Sequence, residues 1–280
     1  GFKNQYNLYF KNLNSLGKND PIYKSTPRVE GMGIAEIKTS FPLIKNSETY
    51  KEILTPKISL RANPGNNMKD YSTSDKSISA DNIFEINRLG ISDTFEAGKS
   101  LTLGIDYKLD KNDNFELLEN LEDKKVLNTD KYIEFKLATV IRDKAETEIP
   151  TSSTIDKKNS NIFGTINNKL FDNFDLVYNF SIDNNFETLD SHSIGSKFSV
   201  NNFVTEFTYL EERGDIGNGH VLYNKSSFEI DKNNLISFST RRNKEIDLTE
   251  YYDFSYEYKN DCLTAGIKYN KTFYQDNDLK

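Results

Sequence analysis

The sequence predicts an all-β protein, an antiparallel transmembrane β-barrel of which this chain forms about 13 strands. Apolar and polar residues alternate in segments of about ten residues, as they do where the two faces of a strand meet different surroundings. Only 36% of the residues are hydrophobic and the mean hydropathy is -0.69, yet 16 Tyr and 19 Phe argue against disorder. A barrel with a polar interior reconciles these observations, because its sheet needs only one apolar face.

Thirteen segments carry the alternation, and the clearest are 99–109 and 174–182. In the first of these, Leu101, Leu103 and every second residue after them are apolar, and the residues between them are polar or glycine. Pro56, inside the third segment, predicts an edge, a bulge or an irregular start, because proline cannot donate to a strand ladder. The predicted strands are residues 4–12, 30–41, 52–62, 99–109, 131–141, 160–170, 174–182, 190–199, 203–210, 220–230, 234–242, 249–258 and 263–273.

The connections between the later strands alternate between short and long. The short ones are 171–173, 200–202, 231–233 and 259–262, and the longer ones are 142–159, 183–189, 211–219 and 243–248. In a meander, alternate connections lie at opposite rims, and outer-membrane barrels place their short turns at the periplasmic rim. Thirteen strands also predict an open, curved sheet, because single-chain bacterial barrels usually have an even number.

Two earlier connections are long and polar. Residues 63–98 are expected to form an outer loop, because so long a structureless loop is rare inside a compact soluble domain. Residues 110–130 are acidic, and we predict a helical turn within them at Glu116–Asp123.

Charge and composition narrow the functional class. A net charge of -7 and a pI near 5.1 leave no basic stripe for nucleic acid. No apolar run reaches 18 residues, so no transmembrane helix is predicted. The single cysteine, Cys262, cannot form a disulfide within the chain. We also expect the chain to be a piece of a longer protein, because no signal peptide or initiator Met precedes the first strand.

The sequence contains no motif for catalysis, metal binding or a cofactor, and none of these is predicted. His192 and His220 have no partners at ligand spacing, so we interpret them as solvated or lumen-facing imidazoles. No nucleophile motif or phosphate loop occurs. On the polar faces of the strands, the candidates to face the lumen are Thr102, Asp106, Lys108, Asn179, Ser237, Ser239, Thr264, Lys268 and Asn270.

Two other classes fit the alternation of polar and apolar residues. One is an unrelated outer-membrane barrel, such as a porin or a receptor. The other is a soluble β-rich adhesin or binding domain built as a sandwich, although a sandwich needs a larger apolar core between its sheets.

Two stretches resemble the LptD family of outer-membrane lipopolysaccharide (LPS) assembly proteins. The first is 82–107, whose matching positions are Asn82, Ile83, Phe84, Asn87, Arg88, Asp93, Glu96, Gly104 and Tyr107. Of these positions, Asn87, Arg88, Asp93 and Glu96 form the motif loop of the family. The second stretch is the tyrosine-rich strand and turn at 256–273, which contains Cys262.

The resemblance implies a role in the cell outer membrane of a Gram-negative bacterium. The family forms a large barrel plugged by an LptE-like lipoprotein. It receives LPS from a periplasmic bridge protein through an N-terminal jelly roll and inserts it into the outer leaflet without catalysis. Residues 1–280 would then be the C-terminal portion of the barrel domain, without the jelly roll, the first strands and the final strand. The resemblance also implies that Cys262 pairs with a cysteine of the N-terminal domain, whereas the alternative is a free thiol.

Overall fold

The computed structural model describes residues 1–19, 25–65, 76–91, 94–111 and 131–273. Fourteen β-strands and a single 3-10 turn at Thr151–Ser153 are the regular elements of these residues. The strands are β1 (Lys3–Ser15), β2 (Arg28–Ser40), β3 (Leu43–Asn46), β4 (Tyr50–Asn63), β5 (Gly98–Lys111), β6 (Tyr132–Arg142), β7 (Ile162–Phe171), β8 (Phe174–Ile182), β9 (Leu189–Val200), β10 (Phe203–Glu212), β11 (His220–Asp231), β12 (Asn234–Asn243), β13 (Leu248–Lys259) and β14 (Thr264–Thr272).

The strands form one antiparallel sheet in chain order, except that β3 leaves the path and pairs only with β4. The other thirteen strands correspond one by one to the thirteen predicted segments. In the described part of the chain β1 and β14 do not pair, so the sheet is unclosed. The predicted fold class is therefore confirmed. The helical turn predicted at Glu116–Asp123 lies outside the described residues.

The unpredicted strand β3 explains the position of Pro56. Pro42 ends the run of β2, and the chain then folds back so that Leu43 pairs with Leu54. Strand β2 pairs with β4 only from Lys57 onwards. Pro56 thus lies where the neighbour of β4 changes from β3 to β2, a place where a missing N–H donor does little harm.

The chain divides by its internal packing into two compact units. The first unit comprises residues 1–112, 134–165 and 180–190, and the second comprises 113–133, 166–179 and 191–280. No helix among the described residues is both long and apolar enough to cross a membrane.

In the first unit, the usual distribution of polar and apolar residues is reversed. Ile37 and Leu60 are paired neighbours on one face of the sheet and are 45% and 52% exposed. Glu36 and Arg61, paired neighbours on the opposite face, are 1% and 4% exposed. A soluble protein rarely buries charges and exposes aliphatic residues in this way, whereas a barrel wall facing lipid does so as a rule.

The second unit has the same two-faced strands. Phe207, Phe238 and Phe254 are exposed on strands whose alternate residues are polar. On the other face, Ser239 of β12 is paired with Asp253 of β13. Strands β10 to β14 therefore share one mainly apolar face and one mainly polar face.

Most of the predicted sorting of connections by length is present. The connections 172–173, 201–202 and 232–233 are two-residue turns, and longer connections separate them. The last pair departs from the pattern, since 244–247 and 260–263 are equally long. That part of the prediction is wrong because β12 and β13 extend further into their shared loop than the alternation indicated.

Candidate functional site

The connection between β4 and β5 folds against the polar face of the first unit. Its residues Ile83, Leu89 and Ile91 are buried. They belong to one hydrophobic cluster with Val140 of β6 and Phe163 of β7. Contrary to what the sequence indicated, the described part of 63–98 is therefore not a polar loop without a core of its own. The reason is physical: three isolated aliphatic side chains contribute to a core without producing any periodic pattern. That this connection lies at the outer rim stays a prediction.

Arg88 of this connection uses every donor that it has. Its Nε and Nη2 donate to the two carboxylate oxygens of Glu96, at 2.6 and 2.5 Å. Its Nη1 donates to Ile83 O at 3.2 Å and to Thr102 Oγ1 at 2.9 Å, and Nη2 also donates to Ser100 Oγ at 3.2 Å. A guanidinium has five N–H groups, so this fully buried arginine is completely satisfied.

Three arginine side chains surround the carboxylate of Glu96. Besides Arg88, it accepts a hydrogen bond from Nη2 of Arg142, at the end of β6. Nη1 of Arg61 lies 3.8 Å from Glu96 Oε2. Burial raises the pKa of Glu96, but Arg88 and the two further guanidiniums outweigh burial and lower the pKa from its ordinary 4.5 to about 2. Glu96 precedes β5 and so lies outside the strands, and it is ionised at any physiological pH.

Arg61 continues the network to a second buried carboxylate, Glu36. Arg61 Nε donates to Glu36 Oε1 at 2.8 Å, and its Nη2 donates to the backbone oxygen of Glu85 at 2.7 Å. Glu36 also accepts from Asn7 at 2.9 Å and from Ser59 at 3.0 Å. We call Glu36, Arg61, Arg88, Glu96 and Arg142 the buried ion cluster.

The buried ion cluster joins the connection to three strands. Arg142 Nη1 donates to Ala97 O at 2.9 Å, and its Nε donates to Ile155 O in the next connection. Because the charges are enclosed and hydrogen-bonded, removing one partner would leave the others uncompensated. The arrangement therefore fixes backbone segments to the sheet. It does not offer a nucleophile or a poised acid.

A protein-family model described as LPS transport system D, LptD, matches residues 3–231. The chain belongs to the LptD family. The match includes the whole motif loop and ends before the turn that holds Cys262. LptD proteins act in LPS transport and assembly at the outer membrane, so this chain is an outer-membrane transport and assembly protein.

The remaining comparisons add little to this assignment. No curated protein matches the chain. Variants of the Rhodopseudomonas blastica porin are among the similar solved structures. One is 7% identical, with 96% of this chain and 84% of that chain covered and a TM-score of 0.38. Another is 8% identical over the same shares, with a TM-score of 0.37. Scores this low carry no argument about fold or function.

Of the motif loop, Asn87, Arg88 and Glu96 lie in the described residues, and each has a definable contact. Asn87 Oδ1 accepts the backbone N–H of Ile91 at 2.9 Å, which shapes the turn that presents Arg88. The ring of Phe84 packs directly over Gly104, where an added Cβ would lie 2.7 Å from Phe84 Cε2. Asp93 lies outside the described residues. The motif is thus a docking device in which the glycine of the strand accommodates the aromatic ring of the loop.

Sequence reasoning missed Glu36, Arg61 and Arg142. All three lie on the polar side of their strands, and Glu36 and Arg61 are direct cross-strand partners. The available signal was an arginine and a glutamate directly opposite each other on the polar face of neighbouring strands, which indicates an ion pair. Using that signal requires knowing the register, which a single sequence does not reveal.

The candidates to face the lumen all fall on the polar side. Thr102 is fully buried against Arg88, Asp106 pairs with Lys57, and Lys108 pairs with Asp110 at 2.7 Å. In the second unit, Asn270 and Lys268 both reach Asp253. By register, Ser237 is opposite Ser255, Ser239 opposite Asp253 and Thr264 opposite Lys259, and Asn179 donates to Ser193 at 3.5 Å. That these residues face a lumen stays a prediction.

The two histidines are not isolated, contrary to expectation. In register, His192 and His220 flank Glu211 on the two neighbouring strands. Tyr209 Oη lies 3.0 Å from His220 Nε2 and donates to Glu211 at 2.6 Å. Both histidines share a sheet face with aliphatic residues such as Leu222. That either imidazole is solvated or faces a lumen stays a prediction. Among the described residues, no set of three metal-ligating side chains is assembled.

Proposed function

We propose that this chain is part of the barrel of an LPS translocon, with its polar sheet face along the route taken by the sugars and phosphates of LPS. The observation that carries the proposal is the reversed burial of the first unit, with charges enclosed and aliphatic residues exposed. An apolar outer face suits lipid, and a polar inner face suits a hydrated glycolipid headgroup. The buried ion cluster holds the connection between β4 and β5 against that route as a fixed wall.

The proposed work is passage and release, without making or breaking covalent bonds. Each carboxylate of the buried ion cluster is occupied by guanidinium groups, so neither is free to act as a base. The LptD family is one of transport and assembly, which agrees with this role. No cofactor forms part of the proposal.

The proposed partners follow from the LptD family. They are an LptE-like plug lipoprotein inside the barrel and a periplasmic LPS bridge protein that docks on an N-terminal jelly roll. In this scheme residues 1–280 form the C-terminal portion of the barrel domain. The other lumen residues proposed above would then line the passage around the plug.

Depletion of the protein in cells tests the proposed function. We expect LPS at the cell surface, measured by antibody binding to intact cells, to fall while LPS accumulates in inner compartments. An unrelated porin would give the opposite pair of results: unchanged surface LPS and a changed uptake of small solutes. That outcome would reject the proposal.

Cys262 is proposed to form a disulfide with a cysteine outside this chain. Its side chain is exposed and unpaired within the described residues, in the turn between β13 and β14. The backbone N–H of Cys262 donates to Asn260 Oδ1 at 3.0 Å, so the turn holds its shape without any disulfide.

We therefore expect Cys262→Ser to change the migration of the full-length protein on non-reducing electrophoresis without loss of the folded barrel. Reduction of the wild type should reproduce the change and serves as the control. Identical migration of the variant and the wild type under non-reducing conditions would contradict the disulfide.

A further inference from the structure

A small basic cavity lies on the polar face of the first unit, and one of its lining residues, Lys38, pairs with Glu36 of the buried ion cluster. Its volume is about 200 Å³. Strands β1, β2 and β4 supply its walls, and the ring of Phe84 closes one side. The polar-face residues that line it, together with this ring, are Lys3, Gln5, Lys38, Ser40, Lys57 and Phe84.

The pairing of strands β1, β2 and β4 places three lysine side chains close to the hydroxyl of Ser40. Ser40 of β2 is directly opposite Lys3 of β1 on one side and Lys57 of β4 on the other. Directly paired residues have Cβ atoms about 4.5–5.5 Å apart, so both lysines reach the space above Ser40. Lys38 is two residues away on the same face of the same strand, at about 6.6 Å.

Nearby carboxylates neutralise only part of this charge. Lys57 pairs with Asp106, and Lys38 Nζ lies 3.1 Å from Glu36 Oε2. Neither Lys3 nor the hydroxyl of Ser40 has a side-chain partner among the described residues. One amine and one hydroxyl thus remain available beside two further lysines that are partly exposed.

Like charges this close on one sheet face disfavour folding unless something offsets them. An anion with several acceptor oxygens would do so, since each ammonium group donates up to three hydrogen bonds. The cavity is too small for an acyl chain bundle or a folded peptide but large enough for a tetrahedral anion and part of a sugar.

We propose that this cavity binds a phosphate group of a phosphorylated glycolipid during its passage along the polar face. Lys3 and the Ser40 hydroxyl supply the free contacts, and Lys38 and Lys57 supply additional positive charge. The inference rests on the proposed function for its ligand, because a phosphorylated glycolipid is what an LPS translocon carries.

The test is a binding titration with the whole protein, purified from outer membranes in detergent. The probes are phosphorylated lipid A, the same lipid with its phosphates removed, and inorganic phosphate. The site variant is Lys3→Gln with Ser40→Asp, which leaves Glu36 and Asp106 with their partners. The matched control is Lys45→Gln with Asn46→Asp, an exposed pair in β3 that changes the net charge equally.

We expect phosphorylated lipid A to bind the site variant about tenfold more weakly than the wild type, since one charge-assisted contact is lost and a repulsive carboxylate is added. The control variant should bind like the wild type. Equal binding by the two variants, or equal binding of the two lipids to the wild type, would overturn the proposal. Competition by inorganic phosphate at the same concentration as the lipid would overturn the assignment to a glycolipid.

The depletion experiment separates this inference from the proposed function. If depletion leaves surface LPS unchanged, the proposed function fails whatever the titration gives. If depletion removes surface LPS but the site variant binds lipid A like the wild type, only the cavity assignment fails.

Discussion

Replacement of Glu96 by Gln is expected to release the connection between β4 and β5 from the sheet, at a cost of about 3–5 kcal/mol in the free energy that holds it. The carboxylate of Glu96 is buried and takes hydrogen bonds from both Arg88 and Arg142. Without it, two enclosed guanidinium groups lose their counter-charge. Water can reach them only if the connection moves away.

Cleavage by trypsin after Arg88 reports this release, because Arg88 and Leu89 are both buried in the wild type. When cleavage follows the equilibrium opening of the connection, the expected cost corresponds to a rate about 150- to 5,000-fold higher. Glu245→Gln, at an exposed glutamate in the connection between β12 and β13, is the control and should leave the rate unchanged. Resistance of Glu96→Gln equal to that of the wild type would show that the cluster does not hold the connection.

The same carboxylate predicts a dependence on pH. The pKa of Glu96 is lowered from 4.5 to about 2 while the connection is docked, so the released state binds a proton more readily. The stabilisation is therefore complete above about pH 4.5 and is lost as the pH falls towards 2. The connection of the wild-type protein should become easier to cleave with an acid-active protease as the pH falls across this interval. In Glu96→Gln the change should be smaller, because only the Glu36 carboxylate of the buried ion cluster remains to be protonated.

The strands could be predicted from the sequence because their signal is local. A segment such as 99–109 has one apolar side and one polar side, and both sides can be read without any knowledge of its neighbours. Strand β3 was missed because four residues after a proline are too few to show an alternation. Its existence depends on the partner residues in β4, which lie on the other side of a turn.

The motif loop was predicted as a site, but its chemistry was not. Arg88 and Glu96 were identified through a family resemblance, which does not say what they touch. Their contacts depend on Arg61 and Arg142, which the chain brings from β4 and β6 through strand register and the folding of a long connection. A sequence pattern gives the face on which a residue lies, but it does not give the residue opposite to it.

The connection between β4 and β5 is held on the polar face of the sheet, opposite the apolar face. The apolar face of a wall that contacts lipid cannot hold a connection on the opposite, polar face, so other contacts must fix long connections there. In this chain a patch of aliphatic residues around Ile83 and the buried ion cluster perform that task together. The cluster is specific in geometry, whereas the aliphatic patch tolerates sliding. We therefore expect the orientation of the connection to depend mainly on the arginines.

Arg88→Lys is the sharpest test of that dependence, because it keeps the charge and removes the geometry. Lysine offers three donors from one atom, whereas Arg88 makes five hydrogen bonds in a planar fork. At least two of the five acceptors, which are the two Glu96 oxygens, Ile83 O, Thr102 Oγ1 and Ser100 Oγ, would lose their buried partner. We expect the connection to be held less tightly by about 2–4 kcal/mol.

Trypsin cleaves after lysine as well as after arginine, so the same bond reports release in this variant, at a rate at least tenfold above that of the wild type. Arg213→Lys, at an exposed arginine paired with Glu211, provides the matched control. In this control variant, trypsin should cleave the bond after Arg88 at the wild-type rate. If charge alone held the connection, Arg88→Lys would resist trypsin as well as the wild type while Glu96→Gln would not. The two variants together thus separate the contribution of the planar hydrogen-bonding fork from that of the ion pair.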